Sequence, residues 1–249
     1  SRHVEVIRLP GIHHDCSISI VAGTKHSVLI DSGTAWHQVN VEERIRAKIE
    51  HMPDLEVILL THRHYDTAGG AKYLSEAFEI PVLIHPLASN SLLSNDQLTT
   101  WASRYDSDMP ETETIALEDG WEMDLGGGSI KSIHTPGHSS CHSSFFIPEL
   151  SIIFTGDMIP AHGFPGRTDL PTGNIIQMLS SIEKIIKLNP QVLVPSRGEA
   201  IRGEDVMRVM NQHRDFFHSL IEEKGELPQE WPKPANTCMW WTPVPNWEF

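Results

Sequence analysis

Cysteine is scarce in this 249-residue chain. Cys16, Cys141 and Cys238 are too few and too scattered for a disulfide framework, so a reducing compartment, the cytoplasm, is expected. Basic residues are outnumbered, with 19 Lys+Arg against 33 Asp+Glu and a formal net charge of −14. Such a surface repels phosphate backbones and anionic headgroups, which argues against nucleic-acid and membrane partners. No stretch approaches the roughly 18 consecutive apolar residues of a membrane-spanning helix. The first eleven residues alternate like a strand and lack the apolar stretch of a secretion signal. The run Gly126-Gly127-Gly128 lies between strand-like segments rather than ahead of a helix, which predicts a turn and not a phosphate cradle. What the chain does have is histidine, 15 in all.

At roughly 150 residues per domain, the length suits one large domain with a terminal appendage. Short β-branched runs predict strands over 4–9, 16–22, 26–31, 57–60 and 81–85, then 114–117, 130–134, 143–147, 151–155 and 192–194. Apolar residues at helical spacing predict helices over 41–50, through Tyr73, Leu74 and Ala77, over 175–187 and over 204–224. Residues 92–110 read as polar loop with at most short helical pieces. From residue 228 onward come five prolines and four of the seven tryptophans. Such aromatic area is costly to leave wet. We therefore expect a core domain over 1–203, with the helix and tail of 204–249 packed on it or on a partner subunit as a homodimer.

His62, His64 and Asp66 fall at alternate positions just after a buried strand, so in extended chain they point the same way. His138 in Thr135-Pro136-Gly137-His138 and Asp157 in Gly156-Asp157 each follow a further strand. Strand ends are where open α/β structures hold ligands. Three imidazoles and a carboxylate suit zinc, and iron or manganese acceptably. Asp31, after another strand, is expected to orient a metal ligand or cap a turn. His162 is a candidate for a substrate loop, and His142 an outside candidate for lining the pocket. Tyr65, between ligands, should face away and pack.

These motifs resemble those of the metallo-β-lactamase superfamily: HxHxD after a buried strand, TPGH, GD, and a Pro-x-x-Gly loop after a further strand. Leu29–Gly33 resembles its early structural motif, and Gly166–Pro171 resembles the glyoxalase II and persulfide dioxygenase branch. The resemblance spans roughly residues 4–203 and implies an αββα four-layer sandwich of the α/β class. By position it implies His62, His64 and His138 as ligands of a first metal, Asp66 as a ligand of a second, and Asp157 as a bridge between them.

Two positions depart from that pattern. Thr67 stands where the family's HxHxDH has its last histidine, and Arg197 stands where the loop after the final core strand usually offers one. A threonine hydroxyl is a weak ligand and would more naturally cap the following helix. An arginine is permanently protonated and has no lone pair to donate. One divalent metal per chain is expected, with Arg197 supplying positive charge beside Asp66 and Asp157 in place of the second, through a bidentate bond to one carboxylate. The expected activity is hydrolysis of a small ester, thioester or lactone, with Asp66 and Arg197 as catalytic groups. The alternatives are an iron oxygenase like the persulfide dioxygenases, using His62, His138 and Asp157, and a non-catalytic metal- or ligand-binding protein.

Overall fold

The computed structural model describes residues 4–161 and 164–222. In chain order the strands are β1 (Glu5–Leu9), β2 (Ile18–Ala22), β3 (Ser27–Ile30), β4 (Leu55–Leu59), β5 (Val82–Ile84) and β6 (Ile115–Ala116), followed by β7 (Glu122–Asp124), β8 (Ser129–His134), β9 (Ser143–Ile147), β10 (Ile152–Gly156), β11 (Val192–Pro195) and β12 (Ile201–Arg202). The helices are α1 (Gln38–Ile49), α2 (Tyr65–Ala68), α3 (Ala71–Phe78), α4 (Pro86–Leu93), α5 (Ile175–Ile186) and α6 (Glu204–Glu222). Two six-stranded sheets result, ordered β1-β2-β3-β4-β5-β6 and β12-β11-β10-β9-β8-β7. Pairing is antiparallel from β1 to β3 and parallel from β3 to β6. In the second sheet the pairing is antiparallel except between β10 and β11.

Alternation along the strands makes the layers. In β3, Val28 and Ile30 face the second sheet while Leu29 faces the first helical layer. In β4 the same split puts Val57 and Leu59 between the sheets and Ile58 under α1 and α3. Phe154 and Val194 meet them from the second sheet, and Ile153 and Leu193 turn outward to α5 and α6. Each such side chain contributes about 1.5–3 kcal/mol on burial, so a one-residue slip in register would be expensive. The outcome is the αββα sandwich the resemblance implied.

The expected strands and the four expected helices are present with ends shifted by a few residues. Helix α4 covers Pro86–Leu93 and so overlaps the start of the stretch expected to be loop with at most short helical pieces. Its start is set by Pro86 at the first helical position and by the His85 ring accepting from the Leu87 amide. The short strands β7 and β12 were likewise unanticipated. Thr67 does not cap a helix: it lies inside α2, and Gly70 precedes α3. The Pro/Trp-rich tail lies outside the described residues. No described helix is long and apolar enough to cross a membrane.

Candidate metal centre

The parallel strands place their carboxyl ends along one rim. From β4 the chain continues through Leu60 and Thr61 into His62-Arg63-His64. From β8 it turns through Thr135-Pro136-Gly137 to His138. Here φ at Gly137 is +146°, and a Cβ would lie 2.4 Å from the Met178 backbone, so only glycine allows this turn to close on α5. Asp157 follows β10 and Arg197 follows the neighbouring β11.

His62, His64 and His138 are all buried and form the one cluster of metal-ligating side chains found among the described residues. The tautomers of His138 and His62 follow from their partners. His138 Nδ1 lies 2.9 Å from the Arg167 carbonyl, which can only accept, so this nitrogen carries the proton and Nε2 is bare. Thr61 Oγ1 lies 3.0 Å from His62 Nδ1 and as close to the Asp31 carboxylate. The hydroxyl proton goes to Asp31, so His62 Nδ1–H donates to Thr61 and leaves its Nε2 bare as well. Asp31 thus orients a ring at one remove, through Thr61, whose backbone N–H also donates to it at 2.7 Å. Burial pushes the Asp31 carboxyl up to about 8 against those two Thr61 hydrogen bonds. Burial likewise lowers the pKa of all three histidines, which keeps them neutral and able to donate lone pairs.

His64 Nδ1 stands 3.0 Å from His138 Nε2. Two nitrogens on one tetrahedral ion, each about 2.0–2.1 Å away, would stand about 3.3 Å apart. Asp157 Oδ2 lies 3.8 Å from His138 Nε2 and 4.0 Å from His62 Nε2. The buried Nε2 of His62 and Oδ1 of Asp157 have no hydrogen-bond partner among the described residues. Bare, neutral nitrogens on His62 and His138 with the Asp157 carboxylate beside them fit a cation.

On the other side of Asp157 lies Arg197. Its Nε donates to Asp157 Oδ2 at 3.4 Å, its Nη2 donates to Asp66 Oδ2, and its Nη1 reaches the His14 carbonyl at 3.3 Å. The guanidinium therefore spans two carboxylates instead of chelating one, which corrects the expected bidentate bond. The side chains of Asp66 and Asp157 are 6% and 10% exposed, whereas that of Arg197 is 36% exposed. It neutralises the acids from within while one edge stays open. Burial pushes Asp66 up to about 6 although Arg197 opposes it, and the neighbouring Asp157 adds to the rise. Burial also works against Asp157, but Arg197 and the histidines together hold it below the ordinary carboxylate range.

Six of the expected site residues thus converge: His62, His64, His138, Asp157, Asp66 and Arg197. Thr67 is buried beside them, its hydroxyl without a hydrogen-bond partner among the described residues. His162 lies outside the described residues. Tyr65 faces the core and is 1% exposed. His142 is fully buried, with its ring 5.5 Å from that of His62 and its Nε2 without a hydrogen-bond partner among the described residues. Gly156 makes room for that ring, since a Cβ there would lie 2.4 Å from the same Nε2.

Four residues beside the centre, Thr61, Tyr105, Trp101 and Trp36, were not singled out from the sequence. Thr61 carries the link to His62. The Tyr105 hydroxyl bonds to Asp66, and burial, then Asp66, raise its pKa. Trp101 stands edge-on to Tyr105 and tilted against His64, and Trp36 meets Tyr105 with ring centroids 5.6 Å apart. Tyr105 and Trp101 sit in the polar stretch 92–110, which carries no periodicity to mark them. Thr61 alone had a local signal, the Thr-His pair at a strand end.

Residues 12–197 match the metallo-beta-lactamase superfamily. The probable metallo-hydrolase MJ0888 of Methanocaldococcus jannaschii is 31% identical over 200 residues, covering 78% of this chain and 93% of its own. The hydroxyacylglutathione hydrolase GloC of Haemophilus influenzae is 30% identical over 200 residues, covering 77% and 88%. The solved structure of TTHA1623 in a di-iron-bound form superimposes with a TM-score of 0.65 at 28% identity, covering 79% of this chain and 94% of that one. The chain belongs to the metallo-β-lactamase superfamily and takes its place among that family's metallo-hydrolases.

Proposed function

We propose that the protein hydrolyses a small ester, thioester or lactone at a centre holding one divalent metal, zinc by preference. The observation that carries this reading is Arg197, whose guanidinium contacts Asp66 and Asp157 where the family pattern has a second metal. His62, His64, His138 and Asp157 would hold the ion. A divalent cation there supplies Lewis acidity, which polarises a carbonyl and acidifies water.

The remaining chemistry belongs to the side chains. Asp66 is tied to Arg197 through Oδ2 and is also bonded by the Tyr105 hydroxyl, while its buried Oδ1 has no hydrogen-bond partner among the described residues. With its pKa raised to about 6, it is poised to take a proton from an attacking water near neutral pH. The water oxygen bonds to the carbonyl carbon, the C–O or C–S bond breaks, and the proton held on Asp66 passes to the leaving alkoxide or thiolate. Arg197 presents its open edge to the oxygen on which negative charge builds, or to a substrate carboxylate. Trp36, Trp101 and Tyr105 wall this side of the centre and suit an acyl group. The relative GloC, a hydroxyacylglutathione hydrolase, favours thioesters within the class.

The test is turnover by the metal-loaded protein across acyl thioesters, lactones and simple esters, with oxygen consumption followed in parallel using a persulfide. Release of thiol or acid without oxygen uptake is the expected result. Persulfide-dependent oxygen uptake with iron would make the protein an oxygenase, and firm metal binding without any turnover would make it a binding protein.

A further inference from the structure

Between the two histidines of the first ligand loop lies Arg63, whose side chain leaves on the opposite face and is 4% exposed. Its three guanidinium nitrogens have separate acceptors. Nε donates to Cys141 Sγ at 3.2 Å, Nη1 to Ser91 Oγ at 3.0 Å and Nη2 to Ser140 Oγ at 2.8 Å. None of the three is a carboxylate, and no ion pair to Arg63 occurs among the described residues. A buried guanidinium held this way is an expensive arrangement unless its hydrogen bonds are complete.

Its countercharge arrives through hydroxyls. Thr99 Oγ1 donates to Asp96 Oδ2 and stands 3.0 Å from Ser91 Oγ. Ser91 Oγ, which accepts from Arg63, is thereby linked through the Thr99 hydroxyl to the Asp96 carboxylate. The chain Arg63–Ser91–Thr99–Asp96 crosses from the ligand loop through α4 into the following loop. That loop is also fixed by its Thr100 carbonyl, which accepts from the Tyr65 amide at 2.8 Å.

The other two bonds matter more. Ser140 and Cys141 are the second and third residues after His138, on the loop that brings the third imidazole. The Ser140 amide donates to Thr172 Oγ1, and its carbonyl lies 2.9 Å from His134 Nε2. One side chain therefore ties together the loop of His62 and His64, the loop of His138, and α4.

We infer that Arg63 is a positioning residue that fixes His62 and His64 opposite His138 before any cation binds. This rests on the reading of those histidines as metal ligands. A preformed site loses little conformational freedom on binding, whereas loops free to separate must be reassembled by the ion. Supporting contacts of this kind are typically worth about 10–100-fold in metal affinity.

The experiment is zinc titration of the metal-free full chain against a competing chelator, with the absorption spectrum of the cobalt-loaded protein as a reading of ligand geometry. For Arg63→Met, zinc affinity is expected to fall about 10–100-fold, with an altered cobalt spectrum. Arg63→Lys should recover part of the loss, and Ser140→Ala should weaken binding by less than Arg63→Met. Arg63→Met that is folded by circular dichroism and binds zinc as tightly as the unmutated protein overturns the inference. Should that variant not fold, equal affinity in both Arg63→Lys and Ser140→Ala overturns it instead. Absence of zinc binding by the unmutated protein would refute the metal centre itself, a result distinguishable from any effect of the variants.

Discussion

Nη2 of Arg197 donates to Oδ2 of Asp66 across 131 residues of sequence. That bond joins the loop after β11 to the start of α2, and it sets the charge balance of the whole centre. Two buried carboxylates beside one another favour protonation of at least one of them. A permanently charged group between them lets Asp157 stay ionised while Asp66 titrates near neutrality.

Removing that group should therefore cost stability. Arg197→Ala is expected to lose about 3 kcal/mol at pH 7, the low end for breaking a buried ion pair, because the guanidinium is partly open to solvent. Arg197→Lys, which keeps the charge but cannot span both acids, should lose less. Urea denaturation of the metal-free proteins checks both. Equal midpoints for Arg197→Ala and the unmutated protein would mean that the ion pair is idle.

Asp66→Asn separates proton transfer from metal binding. The amide keeps the shape and can still bond near Arg197, but it cannot accept a proton. Turnover of the best substrate should fall about 10²–10⁴-fold while bound metal per chain stays constant. Parallel loss of metal and activity would instead make Asp66 a ligand.

The link Asp31–Thr61–His62 makes a different prediction. Thr61→Val keeps the volume and removes the hydroxyl that accepts from His62 Nδ1. Metal affinity should weaken about 10–100-fold, as expected for the loss of a group that orients a ligand. Measured zinc affinity unchanged in a folded Thr61→Val would remove Asp31 and Thr61 from the account of the centre.

His85 supplies a pH-dependent contribution away from the metal. Its ring stacks on His134 with centroids 3.9 Å apart, and burial, then His134, lowers its pKa from 6.5 to about 4. The unfolded chain therefore binds more protons between those two values. The stabilising effect of the neutral ring is complete above about 6.5 and is lost as pH falls through about 4. Unfolding midpoints of His85→Gln measured from pH 7 to pH 4 should fall less steeply than those of the unmutated protein. Parallel slopes would contradict this assignment.

Much of this was readable before any coordinates. The strands β4, β10 and β11 are largely buried, so their apolar runs stood out, and ligands at strand ends follow from alternation and chain direction. Arg197 was legible because the family pattern made a histidine conspicuous by its absence. What escaped depends on contacts far apart in sequence. Tyr105 meets Asp66 only because the 94–112 stretch folds back over α2. Arg63 looked like an ordinary residue between two ligands until Ser91, Ser140 and Cys141 closed around it. Helix α4 escaped because its eight residues are too short and too weakly amphipathic to show a period.

The central claim is that a guanidinium occupies the place of a second ion. Its most direct measurement is metal bound per chain in protein loaded with excess zinc and then freed of loose ions, for the unmutated protein and for Arg197→His. The account predicts one equivalent for the unmutated protein and up to two for Arg197→His, where an imidazole lone pair replaces the cation. Two equivalents in the unmutated protein, or none, would contradict it.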